Sequence, residues 1–557
     1  MFSKWIYRGE GNRTLVIANP KTREVLRLEK STIASKDQPN LCILQNANRK
    51  ESECLRKKME KCIKFTKQVF IPLIGEKYVE CGAIVDLPED FISKNKDLVT
   101  SANKERPNFR LNKEVNGQTK FGILVPDFCF VPGDGVYANE IEGNATVPTF
   151  CVEIKPKYGT LPACEGIGTS LYRDVKQTIC KYCLMQWTKV NKERKYPQRS
   201  GYCPLDLFSS DVKRVWHALI CLLKDPQNNL RIFQNGKRVY SGEMATPSYD
   251  QLDNGKLTDK VPSKNGTIEH QQHLLQPEEV LRHSFGSLYS TNHKLHGEID
   301  GTNLTSTTIF LLTLLQLLIH DSNETTIHHC PSRNHHSLGH PVCNASQYNE
   351  GMYSPGIPTW LMSKGLGFGQ GGVFRKILDV QKMDSIGTDK AFSIFSELRD
   401  YGLKDVIDSF TYTLNESSPK CCVDVHKNAQ NNDLCDGIQL FNAKSDSAHT
   451  NNDCDKPIKN GYIYSSNDLS IASKLDSLSK FLIAASANDC SIMISFQEAM
   501  DATSTDASCF EDVLTRKIYK YSIAVVDLDQ KGSGRVEKYY KEYRDIIDNY
   551  LHFYQIN

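Results

Sequence analysis

The stretch Cys151-Val152-Glu153-Ile154-Lys155-Pro156-Lys157-Tyr158-Gly159 decides how the rest of the chain is read. Residues Thr149 to Ile154 are mostly β-branched or aromatic and are bounded by Pro and Gly, which predicts a strand. In extended backbone, residues two apart share a face. Val152 and Ile154 then point one way, and Glu153, Lys155 and Lys157 the other. Pro156 keeps Lys155 extended and removes one ladder donor. Two like charges held that close are costly unless an anion lies between them. A lone Lys-x-Lys also reads as a solvated strand end; the full string Glu-Ile-Lys-Pro-Lys-x-Gly is far more specific.

Working outward, the 557 residues exceed one ordinary domain, so two or more lobes are expected. Apolar residues make up 39%, enough for a core, with the deficit assigned to polar inserts. A net charge of +2 gives no overall field to attract nucleic acid or a membrane, so anion binding must come from a local cluster. The most apolar run, Ile309 to Ile319, contains Thr313 and Gln316. It falls short of the roughly 18 residues a span needs and reads as a buried helix. Met1-Phe2-Ser3-Lys4-Trp5 has no signal-peptide character, so the 19 scattered cysteines read as reduced thiols of a cytoplasmic or nuclear protein.

The first lobe is placed at residues 1–150. Gly9 and Gly11 precede two short apolar runs, the pattern of strand, glycine turn, strand, strand. Glycines let backbone N–H groups approach a phosphate, although a lone Gly-x-Gly is also an ordinary turn. Arg27 lies on an apolar strand between Leu26 and Leu28, facing solvent or a ligand. Leu55 to Phe70 has helical character, Val79 to Val85 reads as a strand, and Phe121 to Phe128 as a strand leading to a hinge. Residues 103–110 form a basic segment that includes Arg106 and Arg110.

The second lobe takes residues 151–557. Leu171 to Lys192 is expected as one helix, with Met185 and Lys189 on one face. A second helix runs from Asp211 to Lys224, capped by Ser209, Ser210 or Asp211. Asn235-Gly236 marks a hairpin, with Asn228, Asn229 and Arg231 at its mouth. Polar inserts are expected at about 241–305, 320–350 and 415–460, and Phe392 to Phe410 as a helix. His328, His329, Cys330, His335, His336, His340 and Cys343 offer zinc-type donors in no strict spacing, and the tract reads first as an insert. Asp489 stands where a loop enters an apolar strand. A later strand from Ser522 ends in Asp527 and Asp529, which share a face and suit Mg²⁺. Lys531, Arg535 and Tyr539 recur every fourth residue, one stripe if helical, or a solvated basic face.

The Glu153-to-Lys157 string resembles the Glu-x-Lys-Pro-Lys signature of the inositol-pentakisphosphate 2-kinases, and Tyr202-Cys203-Pro204-Leu205-Asp206-Leu207 is similar as well. The resemblance runs in patches over residues 7–30, 103–130, 149–240 and 480–540. It implies an α+β, two-lobed kinase-like fold with polar inserts in the C-terminal lobe. It puts Gly9, Gly11, Arg27, Asp127, Glu153 and Arg231 on ATP, although the family residue expected at Asp127 is Asn. It puts Arg110, Lys155, Lys157, Lys189, Asn228, Lys531, Arg535 and Tyr539 on the inositol phosphate. Asp489 becomes the base, with Asp527 and Asp529 holding Mg²⁺, in the order that protein kinases use. The family's Met-His-Gln-x-x-Lys reads here as Leu184-Met185-Gln186-Trp187-Thr188-Lys189, so the usual His is Met185. Some members carry a structural zinc, which implies Zn²⁺ as a further candidate cofactor.

The implied reaction is ATP-dependent phosphorylation of inositol 1,3,4,5,6-pentakisphosphate at its 2-hydroxyl, by a monomer with no nucleic-acid or membrane partner. Five phosphates at about −1.5 to −2 each sum to roughly −7.5 to −10, which calls for several convergent cations. A non-catalytic inositol-polyphosphate-binding protein of the same fold is the alternative, with Met185 as its marker. A nucleic-acid binder is poorly supported, since basic balance and interleaved exposed aromatics are lacking.

Overall fold

Leu15 and Ile17, then Leu26 and Leu28, place apolar side chains at every second position, and all four are buried. They lie on β2 (Thr14–Asn19) and β3 (Glu24–Thr32), the centre of a six-stranded antiparallel sheet. β1 (Ile6–Glu10), β4 (Ala83–Asp86), β5 (Lys113–Val115) and β6 (Phe121–Pro126) complete it, in the order β1-β2-β3-β6-β4 with β5 on β3. Ile92 and Val99, from the single-turn helices at Phe91–Lys94 and Lys96–Val99, close this smaller core. The computed structural model describes residues 5–32, 41–100, 102–103, 105–107, 110–117, 119–132, 147–164, 170–242, 277–279, 281–282, 305–324, 371–402, 466–499 and 508–556.

The second sheet has six antiparallel strands in the order β11-β12-β10-β7-β8-β9. Their bounds are β7 (Thr149–Ile154), β8 (Leu230–Gln234), β9 (Lys237–Ser241), β10 (Ser491–Glu498), β11 (Cys509–Glu511) and β12 (Ile518–Val526). β7 matches the expected strand at both ends, and all six of its residues are buried. Val152 and Ile154 enter the large core with Ile232, Ile494 and Val525. Cys151 faces the other way, its Sγ 3.6 Å from the Phe128 carbonyl of the segment after β6. The β8–β9 turn has Asn235 and Gly236 at φ 49° and 73°, the left-handed pair a two-residue hairpin needs.

The described residues include thirteen α-helices. α1 (Leu41–Phe65), α2 (Ile71–Ile74), α3 (Phe91–Lys94) and α4 (Lys96–Val99) precede β7. α5 (Leu171–Thr178), α6 (Lys181–Trp187), α7 (Pro204–Leu207), α8 (Val212–Lys224), α9 (Ser306–Glu324), α10 (Gly372–Gln381), α11 (Gly387–Asp400), α12 (Ser466–Ala487) and α13 (Gly534–Ile556) follow. α9 is the expected buried helix, and its Thr313 and Gln316 are satisfied by the buried Asp512 at 2.6 and 3.0 Å. No described helix is long and apolar enough to cross a membrane. Asp211 caps α8 by accepting the Lys213 N–H at 2.9 Å. Phe65, Val69, Phe70, Ile74, Tyr78 and Val79 join the large core, so residues before 150 contribute to both cores.

Three expectations change. The helix expected over 171–192 breaks between α5 and α6, where Ile179 and Cys180 turn extended and the Cys180 sulfur caps α6. A π-helical turn, Thr188–Lys192, then carries Lys189. The strand expected from Val79 begins only at Ala83, because Tyr78 and Val79 are drawn into the large core. The helix expected from Phe392 begins at Gly387 and ends at Asp400, with 403–410 outside the described residues. The inserts expected at 241–305, 320–350 and 415–460 fall largely outside them too, as does the whole His328-to-Cys343 tract. The described cysteines form no disulfide.

Candidate functional site

Strand register brings distant residues to one edge of the second sheet. Ile154 pairs with Ile492, and Ser491 with Val526. The end of β7, the start of β10 and the end of β12 therefore meet, carrying Glu153 and Lys155, Asp489 and Ser491, and Asp527. Glu153 accepts from Arg231 Nη1 and from Ser491 Oγ, each at 3.1 Å. Lys155 Nζ lies 3.2 Å from Asp527 and 3.8 Å from Glu153. From the first sheet, Arg27 Nη2 comes within 3.8 Å of Asp527 and 3.7 Å of Asp529. Arginine, glutamate, lysine, aspartate and arginine thus alternate in charge across the edge. Burial would push the Glu153 and Asp527 carboxyls up, but the cations beside each hold both below the usual carboxylate range. Burial would likewise pull Lys155 down, and Asp527 and Glu153 raise it instead.

A second group lies alongside. Asp489, with 57% of its side chain exposed, is gripped by Lys157 at 3.1 Å and Lys531 at 3.0 Å. Burial works against ionisation here as well, yet the two ammoniums hold the carboxyl at about 2. Lys189 sits over the rings of Tyr182 and Tyr196, 5.5 and 5.8 Å from their centroids. Burial, with Lys157 and Lys195 nearby, pulls its ammonium down to about 8. Tyr539 shares its surroundings with Tyr158 and Arg535, and burial pushes its phenol up.

Three expected geometries need correction. Lys157 does not continue the extended alternation: its φ is 63°, so its ammonium goes to Asp489 while Lys155 goes to Asp527. Asp527 also has φ 63°, because β12 ends at Val526; Asp527 and Asp529 share Arg27 through that reversal and not through strand period. Lys531 precedes α13, so only Arg535 and Tyr539 lie on its turns, and Lys531 arrives from the loop.

The left-handed Lys157 is pinned by side chains from three separate places. Asn229 Nδ2 donates to the Lys155 carbonyl at 2.8 Å, and the Tyr202 hydroxyl to the Pro156 carbonyl at 2.7 Å. Gln381 donates to the Lys157 carbonyl and accepts the Gly159 N–H, both at 2.8 Å. Asn229 is thereby turned inward, while Asn228 stays exposed at the strand mouth. Sequence reasoning missed Tyr202 and Gln381 as supports of the site. It also missed Lys181, a buried cation bonded to the Tyr158 hydroxyl at 3.2 Å and lying over the Tyr158, Tyr539 and Tyr543 rings.

Other expected residues lie apart from these contacts. Asp127, expected on adenine, commits its carboxylate to Arg8 and to the Cys129 N–H. Arg110 is in the first-sheet portion, its carbonyl accepting from Arg106. Gly9 and Gly11 do not have positive φ, and a Cβ at Gly9 would meet nothing within 4 Å. The β1–β2 register shifts between Tyr7 and Gly9, and packing does not ask for glycine at Gly9.

As donors, Asp527 and Asp529 are exposed over about half of their side chains (46% and 52%) and fit a hard cation. Cys180, Cys183 and Cys203 bring their sulfurs within 4.8 Å of one another, a thiophilic set.

Carboxylates at strand ends, within reach of lysines beside the second sheet and of Arg27 from the first, have the chemistry of a phosphotransferase that handles a polyanion. The family model described as inositol-pentakisphosphate 2-kinase matches residues 7–545. An inositol-pentakisphosphate 2-kinase of Danio rerio is 26% identical over 552 residues, covering 98% of this chain and 93% of the relative. One of Arabidopsis thaliana is 24% identical over 565 residues, with the same coverage, and one of Drosophila melanogaster 29% over 320 residues, 44% of this chain and 50% of that protein. The chain belongs to the inositol-pentakisphosphate 2-kinase family.

Proposed function

We propose that the protein transfers the γ-phosphoryl group of ATP to the 2-hydroxyl of inositol 1,3,4,5,6-pentakisphosphate, giving inositol hexakisphosphate. The position of transfer comes from the family alone. The observation that carries the reading is Asp489 held between Lys157 and Lys531, beside the Asp527–Asp529 pair. In this reading the first sheet belongs to an N-terminal, nucleotide-binding lobe of about residues 1–150. Residues 151–557 form a C-terminal lobe that takes the inositol phosphate, in a kinase-like arrangement. The protein works as a monomer in the cytoplasm or nucleus.

The lysines explain how so acidic an aspartate can serve as base. Without substrate, Lys157 and Lys531 neutralise Asp489 and hold it at about 2. Incoming phosphates compete for the same ammoniums. As each lysine turns to phosphate, the Asp489 anion loses stabilisation and its affinity for a proton rises. The substrate thus brings its own base into play, next to the hydroxyl that has to lose a proton. Lys155, Lys189, Arg535 and Tyr539 add donors around the ring phosphates, with Arg110 and Asn228 from the margins. Gly9, Gly11, Arg27, Glu153 and Arg231 serve the nucleotide, Glu153 by fixing Arg231. Mg²⁺, held by Asp527 and Asp529, would neutralise charge on the nucleotide phosphates. Among the described residues, Cys180, Cys183 and Cys203 are the donors that fit a structural Zn²⁺.

A non-catalytic binder of the same fold would not need an acid pair and a clamped third carboxylate. Chromatography of products from the purified protein with ATP, Mg²⁺ and the pentakisphosphate tests the reading, with hexakisphosphate expected. Asp489→Ala should lose about 10² to 10⁴ in turnover. Retention of more than about a tenth of wild-type turnover by that variant would remove Asp489 from the base role.

A further inference from the structure

Arg106 is almost fully buried, at 3% exposure, in a segment rich in charge. Its guanidinium forks onto Glu10, with Nε 2.7 Å from Oε1 and Nη2 3.0 Å from Oε2. Nη1 donates to the Val99 carbonyl at 3.4 Å, and the two hydrogens of Nη2 are shared among Glu10 and the carbonyls of Arg110 at 3.2 Å and Lys113 at 2.7 Å. Glu10 also takes the Lys30 ammonium and the Tyr7 hydroxyl, the latter at 3.2 Å. The Glu10 and Arg106 side chains have no exposed surface.

Apolar residues of similar volume often stabilise such a position as well or better, so stability alone does not account for the buried Arg106–Glu10–Lys30 group. Its neighbours supply a reason. Glu10 stands between Gly9 and Gly11, and the Arg106 fork fixes the backbone at Arg110. We infer that Arg106 is a positioning residue that sets the glycine turn of the nucleotide side and Arg110 of the inositol-phosphate side against one buried carboxylate. The inference rests on the roles given above to Arg110 and the glycine turn. Arginine is required because the three nitrogens of one rigid plane reach one carboxylate and three carbonyls together. Lysine can meet the charge but not the geometry.

Steady-state kinetics of Arg106→Lys, Arg110→Ala and the double variant test it, with the melting temperature followed in parallel. R106K should raise both KM values about tenfold, the worth of one charge-assisted hydrogen bond, with kcat within about twofold of wild type. In the Arg110→Ala background, R106K should raise the ATP KM as before and leave the pentakisphosphate KM where Arg110→Ala put it. A merely structural residue would lower the melting temperature without that split. Equal increments in both backgrounds, or unchanged KM values in R106K, would overturn the inference. If Arg110→Ala alone leaves the pentakisphosphate KM unchanged, the Arg110 assignment falls and the inference with it. If Arg110→Ala raises that KM and R106K does not, the inference alone falls. Should R106K not fold, Glu10→Gln, nearly the same shape, gives the same readouts with the same criteria.

Discussion

Lys189 gives a quantitative handle on the free site. Burial, with Lys157 and Lys195 beside it, brings its ammonium from 10.5 to about 8. That difference corresponds to roughly 3 kcal/mol of unfavourable surroundings for the charged form. Bound phosphates reverse the sign of those surroundings and should return the group to about 10, a rise of about two pH units, within the usual effect of an adjacent anion. Lys189 should therefore take up part of a proton when the pentakisphosphate binds: about 0.1 at pH 7, 0.5 at pH 8 and 0.8 at pH 9. Calorimetric titrations in buffers of different ionisation enthalpy measure the uptake. Lys189→Arg, which stays charged throughout, removes the ligand's own titration by subtraction. Affinity should fall about tenfold between pH 7 and pH 9 in the wild type, relative to the variant. The sign for stability is opposite. Between about pH 8 and 10.5 the free folded protein binds fewer protons here than the unfolded chain, so this group makes stability rise with pH. Equal proton uptake at pH 9 by wild type and K189R would refute the reasoning, because Lys189 would then be charged before the ligand arrives.

Gly9→Ala should leave the melting temperature within about 3 °C of wild type and raise the ATP KM several-fold, since the added methyl meets only the approaching nucleotide. An unchanged ATP KM would mean that no ligand comes close there. Met185 packs against the Tyr543–Ile546–Ile547 cluster on α13 and lines a groove with Glu537, Lys538 and Glu542. Met185→His should accordingly change the pentakisphosphate KM by less than about threefold, under 1 kcal/mol. A tenfold tightening in the same assay would show that a substrate contact had been lost with the family histidine.

What could be read from the sequence was set by local chemistry. β7, the Asp211 cap, the Asn235-Gly236 turn and the apolar α9 each follow from residues within one element. The supports of the site do not. Gln381 reaches Lys157 across 224 positions, and nothing in its neighbourhood on α10 distinguishes it from a solvated glutamine. Nothing local in the sequence marks Lys181 or Arg106 as buried, because their burial depends on Tyr158 and Tyr543 in one case and Glu10 in the other. The three-donor stripe at a spacing of four fails at Lys531 because the helix begins only at Gly534, although Lys531 still reaches Asp489.

The deepest departure from strand periodicity falls on Lys157 and Asp527, both at φ 63°. A left-handed residue with a Cβ costs roughly 1 to 2 kcal/mol, and Asp tolerates it better than Lys. Glycine at 157 would relieve the backbone, but it would remove the ammonium that meets Asp489. Extended backbone at the same place would send Lys157 to the side that already holds Lys155, Arg231 and Glu153. The reversal separates two lysines two residues apart, giving Lys155 to Asp527 and Lys157 to Asp489. Such strain persists only where surrounding structure over-determines it. Asn229, Tyr202 and Gln381 do so by holding the three consecutive carbonyls of Lys155, Pro156 and Lys157. The short Lys-Pro-Lys string can thus serve two carboxylates with different roles only because residues far along the chain hold its backbone in a conformation that it would not adopt alone.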